Sequence, residues 1–283
     1  MRGPGSAFEV LVEAEESSAS GVGLLPEAIE VYGGDWVLPH PDLGLYRFSM
    51  FVMSHDGRVS FAVPGREGGG DVSDFNPHDQ WLMGLLRARA DVVVVGANTL
   101  RLESEHVWTP DFIYPADTDL FVQIRRSESR QDTPLHVMLT RSGDVPDHAA
   151  IFDRHDLRII IATTREGAGL ARSRVPSHVQ VLAVGSDDLD LDEFHRILRE
   201  EHQVHTVLSE GGPRVYAELV RAGHVDEEFL TISPVVIGSS DSSPRPGLIE
   251  GWALEPGNPT RSTLVSLRRA GDHLFLRTRW NRG

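Results

Sequence analysis

The chain of 283 residues contains no cysteine and no lysine, and its 27 basic residues other than histidine are all arginine. Without cysteine there can be no disulfide, thiolate zinc site, iron–sulfur cluster or thiol nucleophile. Without lysine, Schiff-base enzymes, P-loop lysines and Ser–Lys hydrolases are excluded. Any active site therefore depends on other side chains and on the backbone.

The sequence also lacks long apolar runs and basic character. No apolar run approaches the roughly 20 residues that span a bilayer, and the N-terminus has no signal-peptide pattern. The net charge of −15 opposes binding to a polyanion such as nucleic acid. The histidines show no metal-binding spacing. We therefore expect a cytoplasmic protein without a membrane, nucleic-acid or metal partner.

Short apolar runs alternate with helical or loop segments along most of the chain. Runs rich in Val, Ile and Leu are typical of parallel strands that are buried on both faces. We predict such strands at residues 45–53, 91–95, 135–139, 157–162, 179–184, 206–209 and 228–234, and an antiparallel pair at 264–270 and 273–278. This order predicts an α/β fold with a mostly parallel central sheet flanked by helices and an antiparallel C-terminal edge.

Three segments give more local predictions. Asn76 followed by Pro77 is typical of a helix start. The turn at Asp56 and Gly57 predicts that residues 58–63 pair back as a strand. Residues 104–133 are polar, and we expect them to be irregular.

The N-terminal residues differ in composition from the rest. Residues 1–40 contain seven acids and one arginine, which predicts an acidic, partly disordered extension that carries a short helix. Residues 41–283 are then the main domain.

Glycine or hydroxyl residues follow several of the predicted strands. Ligands of parallel sheets bind beyond the carboxyl ends of the strands, so turns of this kind at one edge predict a long phosphate-bearing ligand such as a dinucleotide. An arginine between two hydroxyls suits the 2′-phosphate that distinguishes NADPH from NADH. The turn residues are Gly96, Ala97, Asn98, Thr99, Thr140, Arg141, Ser142, Thr163, Gly211 and Gly212.

The segment from Thr206 to Pro213 combines two of these features. A strand runs into Glu210, Gly211 and Gly212, and a helical pattern follows from Pro213. Bare backbone N–H groups at such a helix start bind anions. We predict that the glycines hold a phosphate and that Glu210 contacts the substrate.

The motifs and their order resemble a known family. The resemblance is to the reductase domain of the riboflavin-pathway bifunctional deaminase–reductase, which has the dihydrofolate reductase fold. It extends from about residue 46 to the C-terminus. The motifs are Ser54-x-Asp56-Gly57, Leu86-Arg87-Ala88-x-Ala90-Asp91, Val95-Gly96-Ala97-Asn98-Thr99, Leu139-Thr140-Arg141-Ser142-Gly143, Glu210-Gly211-Gly212-Pro213 and Ser233-Pro234-x-x-x-Gly238.

The resemblance implies an NADPH-dependent reductase of a C=N bond in a pyrimidine or pteridine-like substrate. Family members of the riboflavin pathway convert a phosphorylated ribosylaminopyrimidine, such as 5-amino-6-ribosylaminouracil phosphate, into the ribitylamino compound. The turns listed above would bind the cofactor, and the chain would form a homodimer. The implied catalytic residues are Glu210, Glu103 and Asp56, and the implied substrate-binding residues are Ser54, Glu103, Glu210 and Arg66. Asp56 can also be explained without a catalytic role, as a turn-forming residue before Gly57.

The substrate half departs from the family pattern. The stretch 103–110 lacks the arginine that would hold the substrate phosphate, and Gln80 stands where the family often has another arginine. A buried phosphate without such partners is costly. Two alternatives therefore stay open at this point: a dihydrofolate- or pteridine-like reductase, and a nucleotide-binding paralogue without activity.

Overall fold

A ten-stranded sheet forms the centre of the molecule. A computed structural model of the protein describes residues 3–14 and 21–281. The strands are β1 (Glu9–Glu13), β2 (Gly21–Val22), β3 (Leu38–Pro39), β4 (Tyr46–Met53), β5 (Val92–Gly96), β6 (Leu135–Leu139), β7 (Ile159–Thr163), β8 (Gln180–Ala183), β9 (Thr206–Ser209), β10 (Glu227–Ile232), β11 (Ser262–Ala270) and β12 (His273–Trp280). Strands β2 and β3 form a separate small ladder.

The strand order of the large sheet is β1-β11-β12-β10-β4-β9-β5-β6-β7-β8. From β10 to β8 every neighbouring pair is parallel. Strand β12 runs antiparallel to both β10 and β11, and β1 runs antiparallel to β11. The predicted α/β fold with an antiparallel C-terminal edge is confirmed, although the outermost strand comes from the N-terminus.

Helices cover both faces of the sheet. They are α1 (Pro26–Tyr32), α2 (Gly69–Val72), α3 (Pro77–Ala88), α4 (Ala97–Leu102), α5 (Pro110–Ile113), α6 (Thr118–Ser127), α7 (Ala168–Arg174), α8 (Leu191–Glu200) and α9 (Pro213–Arg221), with short 3₁₀ turns at Pro41–Leu43, Pro115–Asp117 and Ala150–Asp153.

Strand β5 shows how the two faces are built. All of its side chains are buried, and successive side chains of a strand point to opposite faces. Val93 and Val95 pack in one core with residues of α3 and α6, whereas Val92 and Val94 pack in a second core with residues of α8. A continuous valine run is therefore what this central position requires.

Helix α3 begins where the sequence predicts. The Asn76 side chain accepts hydrogen bonds from the backbone N–H groups of His78 and Asp79, and Pro77 takes the first helical position. The Asn76 amide also lies 3.1 Å from Nδ1 of His273 on β12. This cap anchors the start of α3 to the sheet.

The described N-terminal residues pack against the rest of the fold, and some of their side chains enter the core. Strand β1 pairs with β11, with Glu9 opposite Arg269, and the ring of Phe8 lies 4.9 Å from that of Phe275. Trp36 is fully buried. The division at residue 40 stays a prediction, and so does the disorder expected within 1–40, part of which falls on residues 1, 2 and 15–20, outside the described residues.

Two local predictions are wrong. Residues 58–63 form isolated bridges but no strand, because Ala62 adopts a positive φ of 50° and the Ser60 hydroxyl bonds back to the carbonyl of Glu67. Residues 104–133 are not irregular, since α6 lies within them and buries Leu120 and Phe121.

Replacing Phe8 tests whether the N-terminal segment stabilises the whole fold. Its ring is 3% exposed, so we expect Phe8→Ala to lower the free energy of unfolding by about 3–5 kcal/mol through the cavity it leaves. Leu11→Ala, in the same segment but 43% exposed, should cost less than about 1 kcal/mol. Urea denaturation measures both. If both variants lost the same small amount of unfolding free energy, Phe8 would not be part of the core.

Candidate active site

The parallel strands end at a large open cleft of about 2370 Å³. Its wall includes the turns after β6, β5 and β9, the first turns of α3 and α9, and the glycine-rich loop at residues 64–70. The predicted site residues that line it are Gly96, Ala97, Asn98, Thr99, Glu103, Thr140, Arg141, Ser142, Glu210, Gly211 and Gly212. Ser54, Asp56, Arg66 and Thr163 do not line it.

The glycine turns bring two helix N-termini to the cleft. Gly96 is the N-cap residue of α4 and Gly212 that of α9, and neither helix forms a hydrogen bond with a capping side chain. The first-turn N–H groups therefore lack a partner from a capping side chain and are available to an anion. A Cβ at Gly211 would lie 2.8 Å from Cγ1 of Val215, and one at Gly96 would lie 3.0 Å from its Cγ2. Both glycines are thus required by close packing against α9.

Two threonine hydroxyls support the backbone of the turn after β6. The hydroxyls of Thr163 and Thr164 donate to the backbone carbonyl of Arg141, at 3.3 and 2.9 Å. Thr163 is fully buried, so it supports this turn rather than facing the cleft. The Arg141 side chain is exposed at the cleft wall. The arginine is therefore placed to meet an anion entering from solvent.

Glu210 is engaged by an arginine. Nε and Nη2 of Arg87 donate to its two carboxylate oxygens at 2.8 and 2.7 Å, and the two side chains are 1% and 8% exposed. Arg87 also donates to the carbonyl of Thr109 and to Nε2 of His106. Glu210 thus lines the cleft as half of a neutral pair, so the predicted direct contact with the substrate finds little support in this geometry.

His106 is held neutral by its surroundings. Burial and the positive charge of Arg87 lower its pKa to about 2. Its Nε2 can therefore act as the acceptor for the arginine, at 3.0 Å. All three guanidinium nitrogens of Arg87 are then occupied by protein groups.

Glu103 joins α4 to the glycine-rich loop. Burial raises its pKa, Arg87 lowers it, and the charge of Glu210 raises it further; the backbone N–H of Gly69 also bonds to the carboxylate. A Cβ at Gly68 would lie 2.6 Å from Oε1 of Glu103. The backbone of the loop thus lies directly against this carboxyl group, and a side chain at residue 68 would displace it.

Asp79 is a site residue that the sequence analysis missed. It lies in the first turn of α3, lines the cleft and is 2% exposed. Its Oδ1 is buried without a hydrogen-bond partner among the described residues. Burial raises its pKa to about 6, the Thr231 and Ser73 hydroxyls partly offset this, and the charge of Glu210 adds to it. An acidic residue in a first helical turn is typical of a helix start, so no separate sequence signal marks Asp79 as a site residue.

Asp56 and Ser54 form hydrogen bonds that hold neighbouring loop segments together. The Asp56 carboxylate accepts from the Ser54 hydroxyl at 2.6 Å and from the backbone N–H groups of Ile237 and Gly238 at 3.0 and 2.7 Å. These bonds hold its pKa well below the usual range. The geometry accounts for the Ser-x-Asp-Gly motif by loop closure and gives no support to catalysis by Asp56 or substrate binding by Ser54.

Arg66 lies beside the cleft on an exposed loop. Its side chain is 69% exposed and contacts Asp71 at 3.4 Å. Its neighbours Gly65 and Glu67 line the cleft. It can therefore reach a group at the rim without being part of the wall.

Comparison with known proteins agrees with this geometry. The model of the RibD C-terminal domain family matches residues 47–276. The chain belongs to this family. A 2,5-diamino-6-ribosylamino-4(3H)-pyrimidinone 5′-phosphate reductase of Methanothermobacter thermautotrophicus is 21% identical over 193 residues, which cover 68% of this chain and 78% of the relative.

Two solved structures show the same fold. A pyrimidine reductase-like protein of Corynebacterium diphtheriae has a TM-score of 0.69 at 24% identity, covering 92% of this chain and all of that one. RibD of Acinetobacter baumannii has a TM-score of 0.61 at 18% identity, covering 84% of this chain. The present chain spans 59% of that protein's length.

Two kinds of site are absent from residues 3–14 and 21–281. No helix there is both long and apolar enough to cross a membrane. No three acidic or histidine side chains there are grouped to hold a metal ion.

Asp79 makes stability depend on pH in a defined direction. Its folded pKa of about 6 exceeds its ordinary value of 3.8, so the folded state binds a proton more tightly than the unfolded chain does. Its contribution to the free energy of unfolding is complete below about pH 4. As the pH rises through about 6 this contribution is lost, which lowers the free energy of unfolding by about 3 kcal/mol in total. Asp79→Asn should remove this loss, as measured by urea denaturation on both sides of pH 6.

Asp74→Asn provides the matched control, because Asp74 is an exposed acid outside the cleft wall. That variant should keep the pH dependence of the wild type. If Asp79→Asn kept it too, the raised pKa would be refuted.

Proposed function

We propose that the chain is an NADPH-dependent reductase that converts the ribosylamino group of a phosphorylated aminopyrimidine into a ribitylamino group, as in riboflavin synthesis. One observation carries the proposal: two uncapped helix N-termini and an arginine-bearing turn open onto the same cleft as a buried cluster of carboxyl groups. Membership of the RibD C-terminal domain family supports it.

The strand order suggests how the cofactor would lie. The turns after β6, β5 and β9 are successive along the sheet, with β4 next. From β6 to β4 is three strand spacings, or about 14 Å. The adenosine 2′-phosphate would meet Arg141 and Ser142, and the pyrophosphate would meet the starts of α4 and α9. The nicotinamide would then face the end of β4, beside the carboxyl groups.

The chain's own groups would position and protonate the substrate. When bound, NADPH supplies a hydride to the carbon of the C=N bond. The nitrogen must gain a proton, and we assign its delivery to Glu103, because burial raises the pKa of this carboxyl group and outweighs the opposing charge of Arg87. The Arg87–Glu210 pair holds the wall of the cleft in place.

The substrate phosphate needs a cation that the family pattern does not provide here. We propose Arg66, which is exposed on the glycine-rich loop and only weakly paired with Asp71. Arg101 lines the cleft but is already paired with Asp144 at 3.1 Å. A cytoplasmic location and a homodimer belong to the same proposal.

A single methyl group at Gly211 should weaken cofactor binding. The added Cβ would press on Val215 at 2.8 Å, so the start of α9 must shift away from the phosphate. We expect Gly211→Ala to raise the dissociation constant for NADPH at least about 10-fold, the equivalent of about 1.4 kcal/mol. Fluorescence titration with NADPH measures this.

Gly169→Ala is the matched control, because Gly169 has open space around it and lies outside the cleft wall. It should bind NADPH like the wild type. If the wild type bound neither nicotinamide cofactor, the proposed function would be wrong.

Arg141 should determine the preference for NADPH over NADH. Removing a charged hydrogen-bond donor to the 2′-phosphate costs about 1.5–3 kcal/mol, so Arg141→Ala should weaken NADPH binding about 10- to 100-fold. NADH binding should stay unchanged, because that cofactor lacks the phosphate. Arg172→Ala removes an equal charge from an exposed site away from the cleft wall and should change neither affinity. If Arg141→Ala weakened the binding of NADPH and of NADH equally, the arginine would have a role other than recognition of the 2′-phosphate.

A further inference from the structure

Asp79 is a buried carboxyl group, and one of its two oxygens is left without a hydrogen-bond partner by the part of the protein that the structure describes. It is 2% exposed, and its Oδ1 has no partner among the described residues. Arg87, a buried cation that lines the same cleft, donates to Glu210, Thr109 and His106. A buried acceptor without a donor costs free energy, so its presence on a cleft wall indicates that a ligand supplies the missing N–H groups.

The position of Asp79 is rigid. Its backbone N–H donates to Oδ1 of Asn76 at 3.2 Å, as part of the cap that begins α3. The hydroxyls of Thr231 on β10 and of Ser73 lie beside the Asp79 carboxyl group and lower its pKa, against the larger effect of burial. A carboxyl group on a capped helix can select between ligands by geometry, because it does not move to fit each of them.

We propose that Asp79 is a specificity-determining residue that binds the 2-amino and N3–H edge of a 2-aminopyrimidin-4-one ring and disfavours the corresponding uracil. The inference rests on the proposed function and names the substrate class of the same site.

The two rings differ at the edge that a carboxylate would recognise. A 2-aminopyrimidin-4-one presents two parallel N–H donors, at the 2-amino group and at N3, which match the two oxygens of a carboxylate. A uracil presents an oxygen at position 2 beside its N3–H. That oxygen would face a carboxylate oxygen, and both are acceptors. The side-chain amide of asparagine, with one donor and one acceptor, matches the uracil edge instead.

Steady-state kinetics with both substrates test the assignment. We compare kcat/KM for 2,5-diamino-6-ribosylamino-pyrimidinone phosphate and for 5-amino-6-ribosylaminouracil phosphate, at a pH well above the Asp79 pKa of about 6. The wild type should prefer the diamino compound by about 100-fold or more. Asp79→Asn should reverse the preference, mainly through KM, whereas Asp74→Asn, which removes an exposed acid outside the cleft wall, should keep it.

A binding measurement keeps the test independent of turnover and of the variant's folding. Calorimetry on the wild type compares isocytosine with uracil, the bare rings of the two substrates, and should show tighter binding of isocytosine. Equal binding of the two rings, or an unchanged substrate ratio in a folded Asp79→Asn protein that binds NADPH, would overturn the assignment. A wild type that binds isocytosine selectively but reduces neither substrate would instead refute the proposed function and leave the role of Asp79 supported.

Discussion

The bidentate ion pair between Arg87 and Glu210 joins the two sides of the cleft. Arg87 comes from the last turn of α3, and Glu210 opens the turn between β9 and α9. Both are buried, so breaking the pair would leave an uncompensated charge that costs about 3–5 kcal/mol. Because the pair is electrically neutral and its donors are occupied, it positions its neighbours without itself offering a free charge. The polarity of the substrate side then depends on Asp79 and Glu103.

The sequence predicted the features that depend on local pattern. The buried strands, the Asn76 cap and the glycine turns that line the cleft all follow from neighbouring residues. The pairing of Arg87 with Glu210, which are 123 residues apart, has no local signature, and the same holds for the burial of Asp79. Helix α6 could have been found from the spacing of Leu120, Phe121 and Ile124. The strand predicted at residues 58–63 does not form because Ala62 adopts a positive φ, which no residue pattern predicts.

The absence of lysine has a structural counterpart in the use of buried arginine. Nη1 of Arg125 donates to the carbonyls of Arg87, Ala88 and Ala90 at 3.2, 3.1 and 2.9 Å, at the end of α3. Arg89 bonds in the same region to Glu128 and to backbone carbonyls. Helices end with unpaired carbonyls, and the planar fork of arginine serves several of them at once, which a lysine ammonium does less well. Together with the Asn76 cap at its start, these bonds fix both ends of the helix that carries Asp79 and Arg87.

The outermost strand of the sheet is also the first strand of the chain, and its partner β11 lies near the end. The central strand β4 likewise has neighbours, β9 and β10, that follow it by more than 150 residues. During synthesis the N-terminal third therefore leaves the ribosome with its pairing edges open, and it can complete the sheet only after the last strands have emerged. Folding of this kind is slow and leaves apolar strand edges exposed to other chains meanwhile. The yield of folded protein then depends on how long those edges stay exposed as well as on the stability of the finished fold.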